Sequence, residues 1–339
     1  MELRVMEHIE PSDWDSRISG FSGKCLFHES GWLRFIQVTQ GGEIVRCEMI
    51  DANGVAGYFA CLVVRRGPFR ILGSPLPGWS TDYLGPVAGE GFDADGFLVA
   101  LNDLCRELRI DHTELCCPSV DPSLPPLHGY RVAKGITYVA PLSRDEDLMW
   151  KNLKKKSCQY AIKKALREGL TVEECRDNGF IETYYDQLRE VFLKQGLVPT
   201  YSVERIRGLF ASLPPDRLLA LRVKCGDETV ATGIFPRDDR CLYFFGGASR
   251  SQYHDRCPNE LLHWTAMRIA AREGVERYDM CGSGTFKPKF GAAEIPVYRY
   301  FRSRSAAAML ARESYRAAFY VMQRMRGSFV RVVGRERYV

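Results

Sequence analysis

Tyr278–Gly291, YDMCGSGTFKPKFG, reads as a short strand, a glycine-loosened loop and a lysine pair, Lys287 and Lys289, set between aromatic residues. It lies late in the chain, where a second domain would finish its sheet. Upstream, Val275–Cys281 has strand character, and Pro258-Asn259 opens a helix running to Gly274 with Leu262, Ala266, Ile269 and Ala270 inward. Before that helix lie three strands in a meander, Leu218–Lys224, Thr229–Phe235 and Cys241–Phe245. Gly226-Asp227 and Pro236-Arg237-Asp238-Asp239 turn between them, and Gly246-Gly247-Ala248-Ser249 closes the third. Two amphipathic helices precede the strands, one through Ile181, Tyr185, Leu188 and Phe192 and one capped by Ser202.

Further upstream, Trp150–Gly169 (WKNLKKKSCQYAIKKALREG) predicts one helix with Gly169 as its C-cap. Cys158, Ala161, Ile162, Ala165 and Leu166 form its apolar stripe, and Lys156, Tyr160, Lys163 and Arg167 line up opposite. Seven basic residues here face one acid, Glu168. Like charges at helical neighbour spacing weaken an isolated helix by a few tenths of a kcal/mol per pair. Either an anionic ligand offsets this, or the face is simply solvated.

The first half follows the same order of elements. Glu2–Ile9 reads as a strand, Pro11–Ile18 and His28–Val38 as helices, and Ile44–Ile50, Val55–Val64 and Phe69–Leu72 as strands. Phe92–Ile110 is a helix with Phe97, Leu101, Leu104 and Leu108 on one face, and His112–Cys117 and Tyr130–Pro141 are strands. Pro75–Pro86 (PLPGWSTDYLGP) and Pro118–Pro126 are loops by their prolines. The former carries Trp79, Asp82 and Tyr83, which an idle connector does not need, and reads as a pocket rim. A local echo between Val55–Phe59 and Val230–Phe235 supports duplication.

At 339 residues and 45% hydrophobic, the chain can bury two cores. A net charge of +5 is too weak to indicate nucleic-acid binding by itself. Neither a signal peptide nor a run of about 18 apolar residues is present, so a cytosolic protein is expected. Twelve cysteines without C-x-x-C spacing fit reduced thiols, with Cys116 and Cys117 in a core; no metal site is expected.

The order of elements, the basic helix Lys156–Gly169 and Gly284-Thr285-Phe286-Lys287-Pro288-Lys289-Phe290-Gly291 together resemble the doubled GNAT acyltransferase fold of the FemABX family. The match is best over 145–301; HESGW (28–32) and TDYLGP (81–86) are the marks of the first half. The resemblance implies an α/β (α+β) protein of two tandem GNAT-like domains, each a mixed central sheet flanked by helices. The expected divisions are 1–144, 145–303 and a basic tail, 304–339.

The activity the resemblance implies is amide formation, in which an amine attacks an activated ester or thioester. FemABX enzymes take amino acids from aminoacyl-tRNA to peptidoglycan precursors, while related proteins near exopolysaccharide operons are described as N-acetyltransferases. GNAT enzymes that use acetyl-CoA cradle its pyrophosphate on a Q/R-x-x-G-x-G/A turn. Here GGASRSQYHDRCPNE stands instead, and no such glycine pair follows Arg250. Aminoacyl-tRNA is therefore the preferred donor and acetyl-CoA the alternative, with no bound cofactor; a non-catalytic GNAT-like binding protein remains a third reading.

Aminolysis needs aligned reactants, a stabilised oxyanion and a proton acceptor. Lys287 matches the family lysine and is expected to stabilise the oxyanion or a substrate phosphate, with Lys289 beside it. Asp279 either orients the amine and accepts its proton or pairs with Lys287. Lys156, Tyr160, Lys163, Arg167, Lys289 and Arg250 are expected to bind substrate, and Asp82 and Tyr83 to face the acceptor. His254 is a lesser candidate base. The tail, with nine arginines against Glu313 and Glu336 from Arg302 onward, suits tRNA, solvation or peripheral contact with the inner membrane face, where a lipid-linked envelope precursor would be met.

Overall fold

The structure is a computed structural model that describes residues 1–117 and 128–335, with side chains described through 319 and at 321 and 322. The proline-rich Pro118–Pro126 segment and the last four tail residues lie outside the described residues. In chain order the elements are β1 (Glu2–Val5), α1 (Pro11–Ser19), α2 (Ser30–Gln40), β2 (Glu43–Asp51), β3 (Gly54–Arg66), β4 (Phe69–Ser74), β5 (Gly85–Ala88), α3 (Ala94–Glu107), β6 (His112–Cys116) and β7 (Arg131–Pro141). Then come α4 (Glu146–Asn152), α5 (Tyr160–Arg167), β8 (Leu170–Glu174), α6 (Asn178–Lys194), α7 (Val203–Ser212), β9 (Leu218–Cys225), β10 (Glu228–Pro236), β11 (Cys241–Tyr243), β12 (Gly246–Ser249), α8 (Pro258–Arg272), β13 (Arg277–Asp279), β14 (Ala293–Ser303) and α9 (Ala306–Arg335).

These divide into two compact units, 1–136 with 296–314 and 137–295 with 315–339. Against the expected boundary at 144/145, the first break falls inside β7, and the segment 296–314, which includes most of β14, groups with the first unit.

In the first unit the strands run β1-β2-β3-β4-β6-β14, and β5 pairs with β3. β4 and β6 are parallel; the other neighbours are antiparallel. Asp93 accepts from the Gly96 amide to cap α3, which buries Phe97, Leu98, Leu101 and Leu104 against Cys47, Phe59 and Tyr300. Cys116 and Cys117 are buried, as expected.

In the second unit, β12-β10-β9-β8 form an antiparallel sheet, while β13 lies between β7 and β11. The expected three-strand meander is corrected here. β10 takes Gly246–Ser249 as its partner, and Cys241–Tyr243 instead pairs in parallel with β13. Phe244 still donates to the Asp279 carbonyl at 2.9 Å, Phe245 donates to that of Ile234 at 3.1 Å, and beyond this point β12 stays with β10 alone. The glycines expected to close the third strand allow this one: a Cβ on Gly246 would lie 2.5 Å from the Tyr184 hydroxyl.

The single helix expected over Trp150–Gly169 is also corrected. α4 ends at Asn152, Leu153 is extended at φ −70 and ψ 140, Lys155–Gln159 form a π turn, and α5 follows. The Gln159 side-chain amide donates to the carbonyls of Trp150 (2.7 Å) and Leu153 (3.2 Å), replacing bonds lost at the break. Cys158, Ala161, Ile162 and Ala165 are buried, but Leu166 is 57% exposed. On α6 the buried tyrosine is Tyr184 rather than Tyr185, and Ser202 precedes α7 without a side-chain cap. Strands β5, β8 and β14 had no counterpart in the sequence reading.

Candidate active site

The loop after β13 is built by two adjoining hydrogen-bond sets in the second unit. Asp279, buried at the strand end, accepts through Oδ1 from the Thr137 hydroxyl (2.5 Å) and the Cys281 amide (2.8 Å). Thr137 Oγ1 in turn accepts from the Gly282 amide at 3.2 Å. Cys281 at φ +54 and Gly282 at φ +73 are both left-handed. Their carbonyls converge on the Lys287 ammonium, 2.6 and 2.7 Å from Nζ.

Lys287 is buried, so its charge is held by these carbonyls rather than by water. The sequence has it stabilise the oxyanion or a substrate phosphate; in the structure its ammonium also clamps the loop through these two carbonyls. Asp279 fixes the start of that loop and Lys287 its end. Thr137 was not picked out from sequence because a lone threonine inside a strand carries no motif.

Beside the clamp, Phe286 is exposed, with Lys287 and Lys289 Nζ 6.0 and 5.9 Å from its ring centroid. Lys289 is tied to Glu260 in the first turn of α8, 2.5 Å away. Beneath them His263, also missed, shares a 2.7 Å hydrogen bond between Nδ1 and the Tyr278 hydroxyl and packs 4.7 Å from Phe244 and 4.9 Å from Phe290. Burial, reinforced by the charges of Lys289 and Lys287, pushes its pKa down to about 3, so it is neutral near pH 7. Its only sequence signal is its spacing from Ala266, Met267 and Ala270 on the inward face of α8.

The basic segment meets the same loop. The Lys154 amide donates to the Lys289 carbonyl at 2.9 Å, and a Cβ on Gly291 would lie 3.0 Å from the Asn152 carbonyl oxygen. Lys156, Tyr160, Lys163 and Arg167 are exposed together, along with Lys151, Lys154 and Lys155. None of these cations makes an ion pair among the described residues; Lys163 lies 5.6 Å over the Trp150 ring.

Arg250, by contrast, is engaged. It binds Asp186 at 2.6 Å and Glu190 at 3.2 Å. Burial opposes the charged form of Glu190, but hydrogen bonds from Ser251, Arg250 and Lys194 outweigh it and hold the carboxyl down at about 2. His254 contacts the Ser249 hydroxyl at 3.0 Å.

In the first unit the two marks read from sequence touch. Trp32 Nε1 donates to Thr81 Oγ1 at 2.9 Å, and the Phe27 ring lies 4.8 Å from Trp32 and 6.0 Å from Tyr83. Asp82 and Tyr83 are half-buried on this anchored loop, whose Trp79 is buried. Burial pushes the His28 pKa down to about 4.

Residues 153–302 match the model of the acetyltransferase (GNAT) domain. The chain carries a GNAT acyltransferase domain. Its matched region starts at the helix break and includes the whole Asp279–Lys287 loop. FemX is similar over 88% of this chain and 97% of its own, at 14% identity and a TM-score of 0.67. The C-terminal domain of a putative lysylphosphatidylglycerol synthetase from Agrobacterium fabrum is similar over 89% and 95%, at 12% identity and a TM-score of 0.54. A tandem GNAT protein from the clavulanic acid biosynthesis pathway is similar over 90% and 98%, at 8% identity and a TM-score of 0.50. These likenesses make the fold FemABX-like, with two GNAT-like units; no curated protein matches the chain. In this GNAT domain the N-terminus of α8, the end that favours anions, already holds the Glu260 carboxylate.

Proposed function

We infer that the protein forms amides by transferring an aminoacyl group from aminoacyl-tRNA to an amine of an envelope precursor. The observation that carries this reading is the run of seven cations, Lys151 to Arg167, left without ion-pair partners among the described residues and bonded through the Lys154 amide to the Lys289 turn. A phosphate-rich donor would offset their mutual repulsion. Conversely, Arg250 is bound by two carboxylates and α8 opens on Glu260, so the cation and the helix end that a CoA pyrophosphate would use already hold protein carboxylates. Lysylphosphatidylglycerol synthetase and FemX, named for or related to aminoacyl chemistry, supply fold-level support only.

Chemically, the Asp279–Lys287 loop supplies a fixed frame for the reacting ester. Asp279, already accepting two hydrogen bonds, positions the loop and lends negative charge near the attacking amine. The clamp of Lys287 keeps the loop amides oriented, which is the preorganisation that an oxyanion requires.

A second reading is acyl-CoA-dependent N-acetylation of an amino sugar. It is favoured by the outer edge of β12, which takes no neighbouring strand among the described residues and can pair with an extended amide-bearing chain. Thermal stabilisation by charged tRNA and by acetyl-CoA separates the two. Stabilisation by charged tRNA alone supports the first; stabilisation by acetyl-CoA without tRNA binding overturns it. The anionic or lipid-linked acceptor is proposed on the same footing.

A further inference from the structure

α9 runs 30 residues, Ala306–Arg335, and most of its described side chains beyond Arg312 face solvent. Leu310 is 69% exposed, Tyr315 66%, Val321 57% and Met322 43%. At about 100° per residue these four fall within one arc of about 140°. In the sequence the same spacing continues through Met325, Phe329, Val332 and Val333. Arg312, Arg316, Arg324, Arg326, Arg331 and Arg335 recur at the opposite spacing, against a single acid within the helix, Glu313.

The start of this helix is held firmly. Arg312 Nε donates to the buried carboxylate of Glu114 at 2.7 Å, and its guanidinium lies 4.1 Å over Phe301, both in the first unit. Burial disfavours the Glu114 charge, but hydrogen bonds from His112 and Arg312 and the charge of Arg299 more than offset this and hold its pKa below the usual value. A helix with exposed apolar residues on one arc, and arginines at the opposite spacing in its sequence, needs an occupant for the apolar side. Arg312 apart, a second copy would bring five more arginines toward the first five, with no acidic run to receive them. No helix among the described residues is long and apolar enough to cross a membrane.

We propose that α9 is an interfacial anchor, laying its Leu310, Tyr315, Val321 and Met322 face into a bilayer while the arginines beyond Arg312 meet anionic phospholipid headgroups. The charge complementarity selects anionic over neutral lipid, and the apolar arc sets the helix in the plane of the surface.

The test is flotation of the full-length protein with phosphatidylcholine vesicles, with and without about 30% phosphatidylglycerol. The anchor predicts at least about tenfold stronger partition onto the anionic vesicles, lost at high salt. Arg324→Ala/Arg331→Ala weakens it by about fivefold per arginine. Val321→Asp/Met322→Asp removes it while leaving circular dichroism and melting unchanged, because both sites are exposed. Equal partition onto both vesicle types overturns the proposal, as does wild-type binding by Val321→Asp/Met322→Asp, which would mean a purely ionic polyanion surface. A dimer that this double variant dissociates, with no vesicle binding, overturns it in favour of a second copy.

Discussion

The backbone amide of Lys154 donates to the carbonyl of Lys289 across 2.9 Å, so the basic segment and the closing loop of the GNAT domain are one local structure. An anion bound along Lys156, Lys163 and Arg167 is thereby coupled, through main chain rather than flexible side chains, to the turn beside Asp279. This is the relationship on which the functional reading rests.

Replacing Gly291 by alanine should break that junction. Its φ of +76° is unfavourable for a side chain, and the new Cβ would lie 3.0 Å from the Asn152 carbonyl oxygen. A loss of about 1–3 kcal/mol in urea unfolding is expected, together with reduced transfer. Unchanged stability would show that the turn has another conformation open to it.

Lys287→Met separates a clamp from an oxyanion donor. Two half-buried carbonyls would lose their charged partner, costing about 1–3 kcal/mol with activity falling alongside. A variant of wild-type stability and much reduced turnover would instead restore the direct role expected from sequence.

Gln159→Ala removes the donor that serves the carbonyls of Trp150 and Leu153 at the helix break. About 1–2 kcal/mol of stability should go, and with it part of the affinity for polyanions, because the lysines that follow lose their fixed placement.

How much of this was legible beforehand can be judged from that same segment. The period of Cys158, Ala161, Ile162 and Ala165 identified its buried face correctly. It did not reveal the break at Leu153, because the carbonyl of Lys289 that binds the next amide lies far along the chain and helical spacing continues through the gap. Leu166 fits the stripe by spacing and is nevertheless exposed, which depends on where α5 ends against its neighbours. The Asp279–Lys287 loop was found by composition, whereas Thr137 and His263 were not, since their importance lies in partners distant in sequence. Gly246–Ser249 reads as the close of the third strand, and is instead a strand of its own on β10, where Tyr184 and Phe244 approach too closely for side chains at Gly246 and Gly247.

Acid should destabilise the protein from below neutrality. The folded pKa of His263 is lowered from 6.5 to about 3 and that of His28 to about 4, so only the unfolded chain gains these protons as pH falls below 6.5. Their contribution is therefore complete above that pH and declines toward the folded values. At about pH 5 each should have lost on the order of 2 kcal/mol relative to neutrality. His263→Phe/Tyr278→Phe should flatten this part of the stability profile, measured by urea midpoints across pH; an unaltered slope would place the titrating groups elsewhere.

The most direct test is single-turnover reaction of purified protein with aminoacyl-tRNA and an amine acceptor, comparing wild type with Lys156→Glu/Lys163→Glu/Arg167→Glu. The account predicts amide formation by the wild type and a loss of at least about a hundredfold in apparent donor affinity for the triple variant, with melting unchanged. Amide formation from acetyl-CoA that is insensitive to the triple substitution, with no reaction of aminoacyl-tRNA, would contradict it.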